Sequence, residues 1–112
     1  MTNVLTIAMI CHEANRAYAR SLGDFSHKPW ERAPDWQKMS AISGVQFHLA
    51  GDKTPAESHE SWISMKLATG WTYGTVKNEK AKTHPCLMAY DLLPEDQKAK
   101  DRLFGAIVGA FK

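Results

Sequence analysis

His59, Trp62 and Lys66 stand at i, i+3 and i+7 of one helical stretch, which aligns an imidazole, an indole and an ammonium along a single face. That set makes a surface for a flat, anionic ligand. Stacking on an aromatic ring tolerates many bases and contributes about 1 to 3 kcal/mol per base, and a cation adds attraction for phosphate. Ile63 and Leu67 fall on a neighbouring stripe, read as the one that faces the core. Trp71 follows the helix and is read first as packing against Trp62 and the core, with a ligand role second. His84 precedes Pro85 and is expected to fix a turn by hydrogen bonding to backbone carbonyls, or else to reach a ligand. Tyr73 could set its hydroxyl at a pocket rim with the ring packed. Asn15 and Arg16, on the polar side of the first helix, would add a phosphate contact if that helix lay beside the one carrying Trp62. A Glu13–Arg16 pair on a solvated face is the alternative.

Other chemistries lack their spacing. The His12-Glu13 and His59-Glu60 pairs resemble the start of a zinc-hydrolase helix, but the second His would have to stand four residues after the first, where Arg16 and Ile63 occur. No metal site is expected. The phosphate loop of nucleoside triphosphatases does not occur, and the two glycines of Gly70-Trp71-Thr72-Tyr73-Gly74 are not spaced as a dinucleotide fingerprint. Cys11 and Cys86, the two cysteines, have neither metal nor redox spacing and are read as free thiols.

The elements that must position these residues are four helices. Val4, Ile7, Cys11, Ala14, Ala17 and Tyr18 recur at three- and four-residue steps and give a helix over 4–22, closed by Gly23. Residues 23–35 form a loop pinned by Phe25 and Trp30. A second helix runs over 34–49 with Trp36, Met39, Ile42, Val45 and Leu49 as its buried stripe. Thr54, Pro55 and Glu57 form a capping-box start for a third helix over 55–69, and Gly70 supplies its left-handed stop. Trp71 to Val76 reads as a short extended arm, 77–93 as irregular, and the last helix covers 94–111, burying Leu103, Phe104, Ile107, Val108 and Phe111. His12-Glu13 and His59-Glu60 open similar stretches, an echo of a pseudo-symmetric pair. The fold class is mainly α with a minor β element, in one domain over 1–112.

Composition supports that size of fold. The 112 residues are 44% hydrophobic and 23% charged, an ordinary globular balance with room for one modest core. A net charge of +2 without a basic face argues against nucleic acid as partner. The opening MTNVLTIAMICHEANRAY lacks a basic leader and soon meets His12, Glu13 and Arg16, so it reads as an amphipathic helix of a cytoplasmic protein, with no membrane partner.

Residues 59–95 also carry an ordered motif: H-E-x-W at 59–62, Lys66, G-W-x-Y-G at 70–74, Lys82, H-P-x-L at 84–87, Tyr90 and L-P-E at 93–95. In this the chain resembles the ryanodine-receptor repeat (RyR) domain family, in its free-standing bacterial and phage form. Ala89 stands where Pro often precedes the Tyr, and Asn78 where Asp is usual. The resemblance implies a compact helical domain that accommodates purine-type small molecules, with Trp62 as the stacking platform. It implies a sensor or sponge for a nucleotide-derived signal, for instance one made during antiviral defence, with no cofactor and no catalysis. A protein-interaction module, or a homo-oligomer formed through the aromatic loop around Trp30 and Trp36, is the second reading. A small nucleotide-processing enzyme using His59 or His84 as acid or base is the third.

Overall fold

The computed structural model describes residues 3–112. Four helices make the body: α1 (Val4–Ser21), α2 (Asp35–Leu49), α3 (Pro55–Ala68) and α4 (Glu95–Gly109). Their ends follow local chemistry. Asn3 caps α1 by accepting from Thr6 N at 2.8 Å. At α3 the capping box is complete, with Glu57 N donating to Thr54 Oγ1 at 3.1 Å and Thr54 N to Glu57 Oε1 at 2.9 Å. Pro34 and Pro94 stand one residue outside α2 and α4 rather than in the first turn, so each helix begins on an acidic residue, Asp35 or Glu95, that suits the positive end of the helix dipole. α4 stops two residues short of the expected 111.

The extended arm is smaller than expected. Thr72–Tyr73 (β1) pairs in parallel with Thr83–His84 (β2), and Asn78 bridges Thr83 in antiparallel fashion within the intervening loop. Parallel neighbours usually need a longer crossover. Here the loop closes because Lys82 adopts φ 55° and its Nζ donates to Thr69 O at 3.0 Å.

The second half repeats the plan of the first. Gly23 (φ 88°) and Gly70 (φ 92°) end α1 and α3, each followed by a backbone N–H that reaches back to close the last turn: Asp24 N to Ala19 O and Trp71 N to Lys66 O, both 2.9 Å. His12 Nε2 donates to Lys28 O at 2.7 Å, and His59 Nε2 to Met88 O at 2.8 Å. A 3-10 turn follows each clasp, Trp30–Arg32 or Tyr90–Leu92, then a buried Ala33 or Leu93, a proline and a helix. Even the cation over the aromatic ring recurs, Lys38 over Trp30 and Lys98 over Tyr90. The echo between the two His-Glu pairs is thus a repeat of structure.

The dry core is small. Ile7, Ala8, Cys11, Val45 and Val108 are buried together, with Val4, Ala41, Ile42, Phe104 and Ile107 against them. α2 and α4 meet through glycine: a Cβ on Gly44 would lie 2.8 Å from the Phe104 ring, so only a bare backbone permits this approach. That contact turns α2 away from the expected stripe, because Val45 and His48 become its buried positions and Met39 is left 65% exposed, with Leu49 also outside. Ala17 and Phe111 are likewise exposed. Among the described residues no helix is long and apolar enough to cross a membrane.

Cys11 and Cys86 are free thiols, and burial pushes Cys11 up to about 11. Among the described residues no group of three His, Cys, Asp or Glu is placed to hold a metal. Chelator and reductant together are therefore expected to leave the melting temperature unchanged, and Cys11 to resist alkylation at neutral pH. Loss of more than a few degrees with either reagent, or fast alkylation of Cys11 in the folded protein, would count against this packing.

Candidate ligand cavity

Beside that core the helices part around a cavity of about 830 Å3, within the range of small-molecule sites. α3 turns its His59–Trp62–Lys66 face into it, while Leu67 on the expected core stripe is 56% exposed. The amphipathic rule fails here because the inward face of α3 meets a cavity instead of apolar side chains. Asn15 from α1, Phe47 from α2, Tyr73 and His84 from the strands and Phe104 from α4 complete much of the wall. Trp71 and Arg16 do not reach it. Arg16 instead pairs with Glu13 at 2.8 Å. Trp71 is 3% exposed and packs on Trp36, with ring centroids 4.9 Å apart.

Lys66 is the unexpected member. Sequence spacing suggested an exposed ammonium, yet the residue is 3% exposed and its Nζ lies 4.2 Å from the Trp36 ring centre and 5.1 Å from that of Trp71. Burial, and then Lys77, lowers its pKa to about 8. Among the described residues no acceptor hydrogen-bonds this ammonium and no carboxylate pairs with it. Two aromatic faces flank its charge, and the Nζ keeps access to the open cavity.

His59 has both ring nitrogens engaged, Nε2 with Met88 O and Nδ1 3.6 Å from Asp101 Oδ2. Burial pushes the Asp101 carboxyl up to about 6, with the His59 charge opposing. Trp62, half-buried, stacks on His59 at 5.5 Å and 25° and meets His84 edge-on at 5.0 Å. His59 therefore orients the indole, and the indole forms the wall. Tyr73 is 53% exposed at the rim. His84 does fix its turn, but through the opposite kind of partner from the carbonyls expected: its Nδ1 accepts from Cys86 N at 3.0 Å. The proton is then on Nε2, and burial together with Lys77, Lys100 and Lys66 drives the imidazole down to about 3, so the ring stays a neutral donor.

Several wall residues were invisible to spacing. Trp36, read as core or as part of an association surface, instead holds the arm by donating from Nε1 to Glu79 Oε1 at 2.7 Å. His27 faces the cavity with Gln37 on Nδ1 at 3.2 Å and Asp24 3.4 Å from Nε2, and burial lowers it to about 4. Lys77 and Lys100 also line the cavity. Lys77 is exposed to solvent, yet the protein around it still lowers its pKa, desolvation being the main cause.

The RyR domain model matches residues 44–105, which takes in the end of α2, all of α3, the arm and most of α4, and leaves α1 and Trp30 outside. The match spans more than half of the chain and contains the clasp of His59 on Met88, the wall residue Trp62 and the caged Lys66, so the protein belongs to the RyR domain family.

Proposed function

We propose that the protein binds an anionic, purine-bearing small molecule in this cavity and holds it unchanged, as a sensor or a sponge. The observation that carries the reading is Lys66, a cavity-lining cation that is nearly fully buried and has no protein acceptor. A buried charge without a partner is costly, and an anion entering the cavity relieves that cost. Trp62, Phe47 and Phe104 supply the apolar and aromatic wall that a base requires.

The protonation states speak against His84 and His27 as acid or base, while Lys66 at about 8 lies near neutral pH and is read here as an anion-binding charge. A general acid or base works best with a pKa near the working pH. His84 at about 3 and His27 at about 4 are far below it, and Asp101 at about 6 is tied to His59.

A thermal-shift screen with adenosine, AMP, ADP, cyclic AMP and ADP-ribose is the direct test, because a ligand of the native state raises its stability with saturation. Anionic members should stabilise the protein and be recovered intact by chromatography. Trp62→Ala should weaken binding by about 1 to 3 kcal/mol with the fold retained. Chemical conversion of the ligand would favour an enzyme. Native affinity in Trp62→Ala would remove the indole from the site, and no shift with any compound, together with a stable protein complex, would favour an interaction module.

A further inference from the structure

The nucleotide reading uses Lys66 as a charge, and the same geometry gives its neutral form a use of its own. Among the described residues Lys66 is the only lysine that is buried. Of the other cavity lysines, Lys77 is exposed and Lys100 half-buried. Several lysines elsewhere have oxygen partners: Lys82 donates to Thr69 O at 3.0 Å and Lys112 to Gly51 O at 2.9 Å, and Lys98 lies 3.5 Å from Glu95. Lys66 Nζ has two indole faces instead, with the Trp36 ring centre at 4.2 Å and that of Trp71 at 5.1 Å. It is not sealed in, because it opens on the cavity.

These surroundings favour an amine over an ammonium. Water and carboxylates, which stabilise the charged form, are withheld, and the neutral form keeps a lone pair free for attack. The lowering of its pKa to about 8, by burial and then by Lys77, agrees with this. Cage and amine are also tied to each other, since Trp71 N donates to Lys66 O at 2.9 Å. The electrophile must suit the same space. Between two indoles an aldehyde carbon, with a hydrogen on one side, fits more readily than the carbon of a ketone. With Trp62, Phe47 and Phe104 in the wall, the body of the molecule should be flat and aromatic.

We propose that Lys66 captures a flat aromatic aldehyde in the cavity as an imine. The neutral amine adds through its lone pair to the carbonyl carbon, the C=O π pair moves to oxygen, and one N–H proton follows it. The second N–H proton leaves with that hydroxyl as water, and the nitrogen pair closes the C=N bond. Nothing is oxidised or reduced. Water returning to the cavity reverses both steps and releases the aldehyde unchanged. Capture goes beyond nucleotide binding, and neither requires the other.

Salicylaldehyde is the probe, added to the whole chain at neutral pH with cyanoborohydride to reduce the imine to a stable amine, and peptide mass spectrometry locates the adduct. Lys66 is expected to react at least about ten-fold faster than any other lysine of the folded chain and to lose that lead in urea, where the cage is gone. Acetaldehyde, which lacks the aromatic body, should show a much smaller lead. Lys66→Met should lose the fast adduct, and should that variant not fold, the urea comparison decides alone. Equal labelling of Lys66 and the exposed lysines, a lead that persists in urea, or an equally fast adduct in folded Lys66→Met would overturn the capture. An equal lead with acetaldehyde would overturn the aromatic class. Fast capture with no thermal shift from any nucleotide supports the imine and overturns the nucleotide reading, whereas a nucleotide shift with no preferred adduct does the reverse.

Discussion

Replacing Lys66 with methionine is expected to abolish most of the affinity for an anionic ligand while leaving the free protein as stable as before, or more so. The two effects have one origin. An ammonium held at 3% exposure between Trp36 and Trp71 without an acceptor is unfavourable when the cavity is empty, and methionine fills similar space without a charge to desolvate. Loss of one partner from a buried charge pair typically costs about 2 to 5 kcal/mol, so the Kd should rise by about 1.5 to 3.5 orders of magnitude. The pH dependence follows from the direction of the shift. Lys66 titrates near 8 in the folded chain and at its ordinary 10.5 when unfolded, so between those values the unfolded chain binds more protons and stability rises with pH. Lys77, whose pKa is also lowered, adds a contribution of the same sign, and His84 and Trp36 face the same ammonium without titrating in that window. Cys11 and Cys86, whose pKa values are raised, contribute with the opposite sign, so the contribution of Lys66 is read as a difference: from pH 8 to 10.5 the parent should gain about 2 to 3 kcal/mol relative to Lys66→Met in urea titrations. Ligand affinity should run the other way and fall above pH 8. A marked loss of stability in Lys66→Met, with binding intact, would make Lys66 structural.

Trp71→Ala should act on the fold. Its indole is 3% exposed, packs on Trp36 and closes one side of the Lys66 cage, and its backbone N–H completes the end of α3. Truncation of such a residue costs about 3 to 5 kcal/mol, a large part of the stability of a domain this size. The urea midpoint should collapse, and any binding that survives should be read on the folded fraction alone. Trp62→Ala supplies the contrast, because that side chain is half-buried at the cavity wall. A loss below about 1 kcal/mol for Trp71→Ala would place the indole outside the cooperative core.

The helices were legible because their ends are written locally: Thr54 with Glu57, and Gly70 with its left-handed φ, act within a few residues. Which face of each helix points inward was less legible. Periodicity assigns the apolar stripe to the interior, and this holds for Ile7, Cys11, Val45 and Val108 around the dry core. It fails for Met39 and Leu67, since α2 is turned by the Gly44–Phe104 contact and α3 faces a cavity. Trp62 and Lys66 could be placed on one face, but the burial of Lys66 depends on Trp36, thirty positions away. Lys77 and Lys100 had no signal at all, because convergence on a cavity is a property of the folded chain. His27 was hidden in the same way, in a loop that reads as ordinary punctuation.

The two histidine clasps span different lengths of chain. His12 reaches a carbonyl 16 residues on and His59 one 29 residues on, 13 more, with the same hook at the end of each. The additional length falls between Gly70 and Met88, and that stretch carries Tyr73, Lys77 and His84 into the cavity. Frame and recognition are therefore separable parts of this chain: the hooks, turns and helices are common to both halves, and much of the chemistry rides on one added segment. Trp71 ties the start of that segment to the core, so under the proposed ligand role it is the stretch beyond Trp71 that is open to variation in length and specificity.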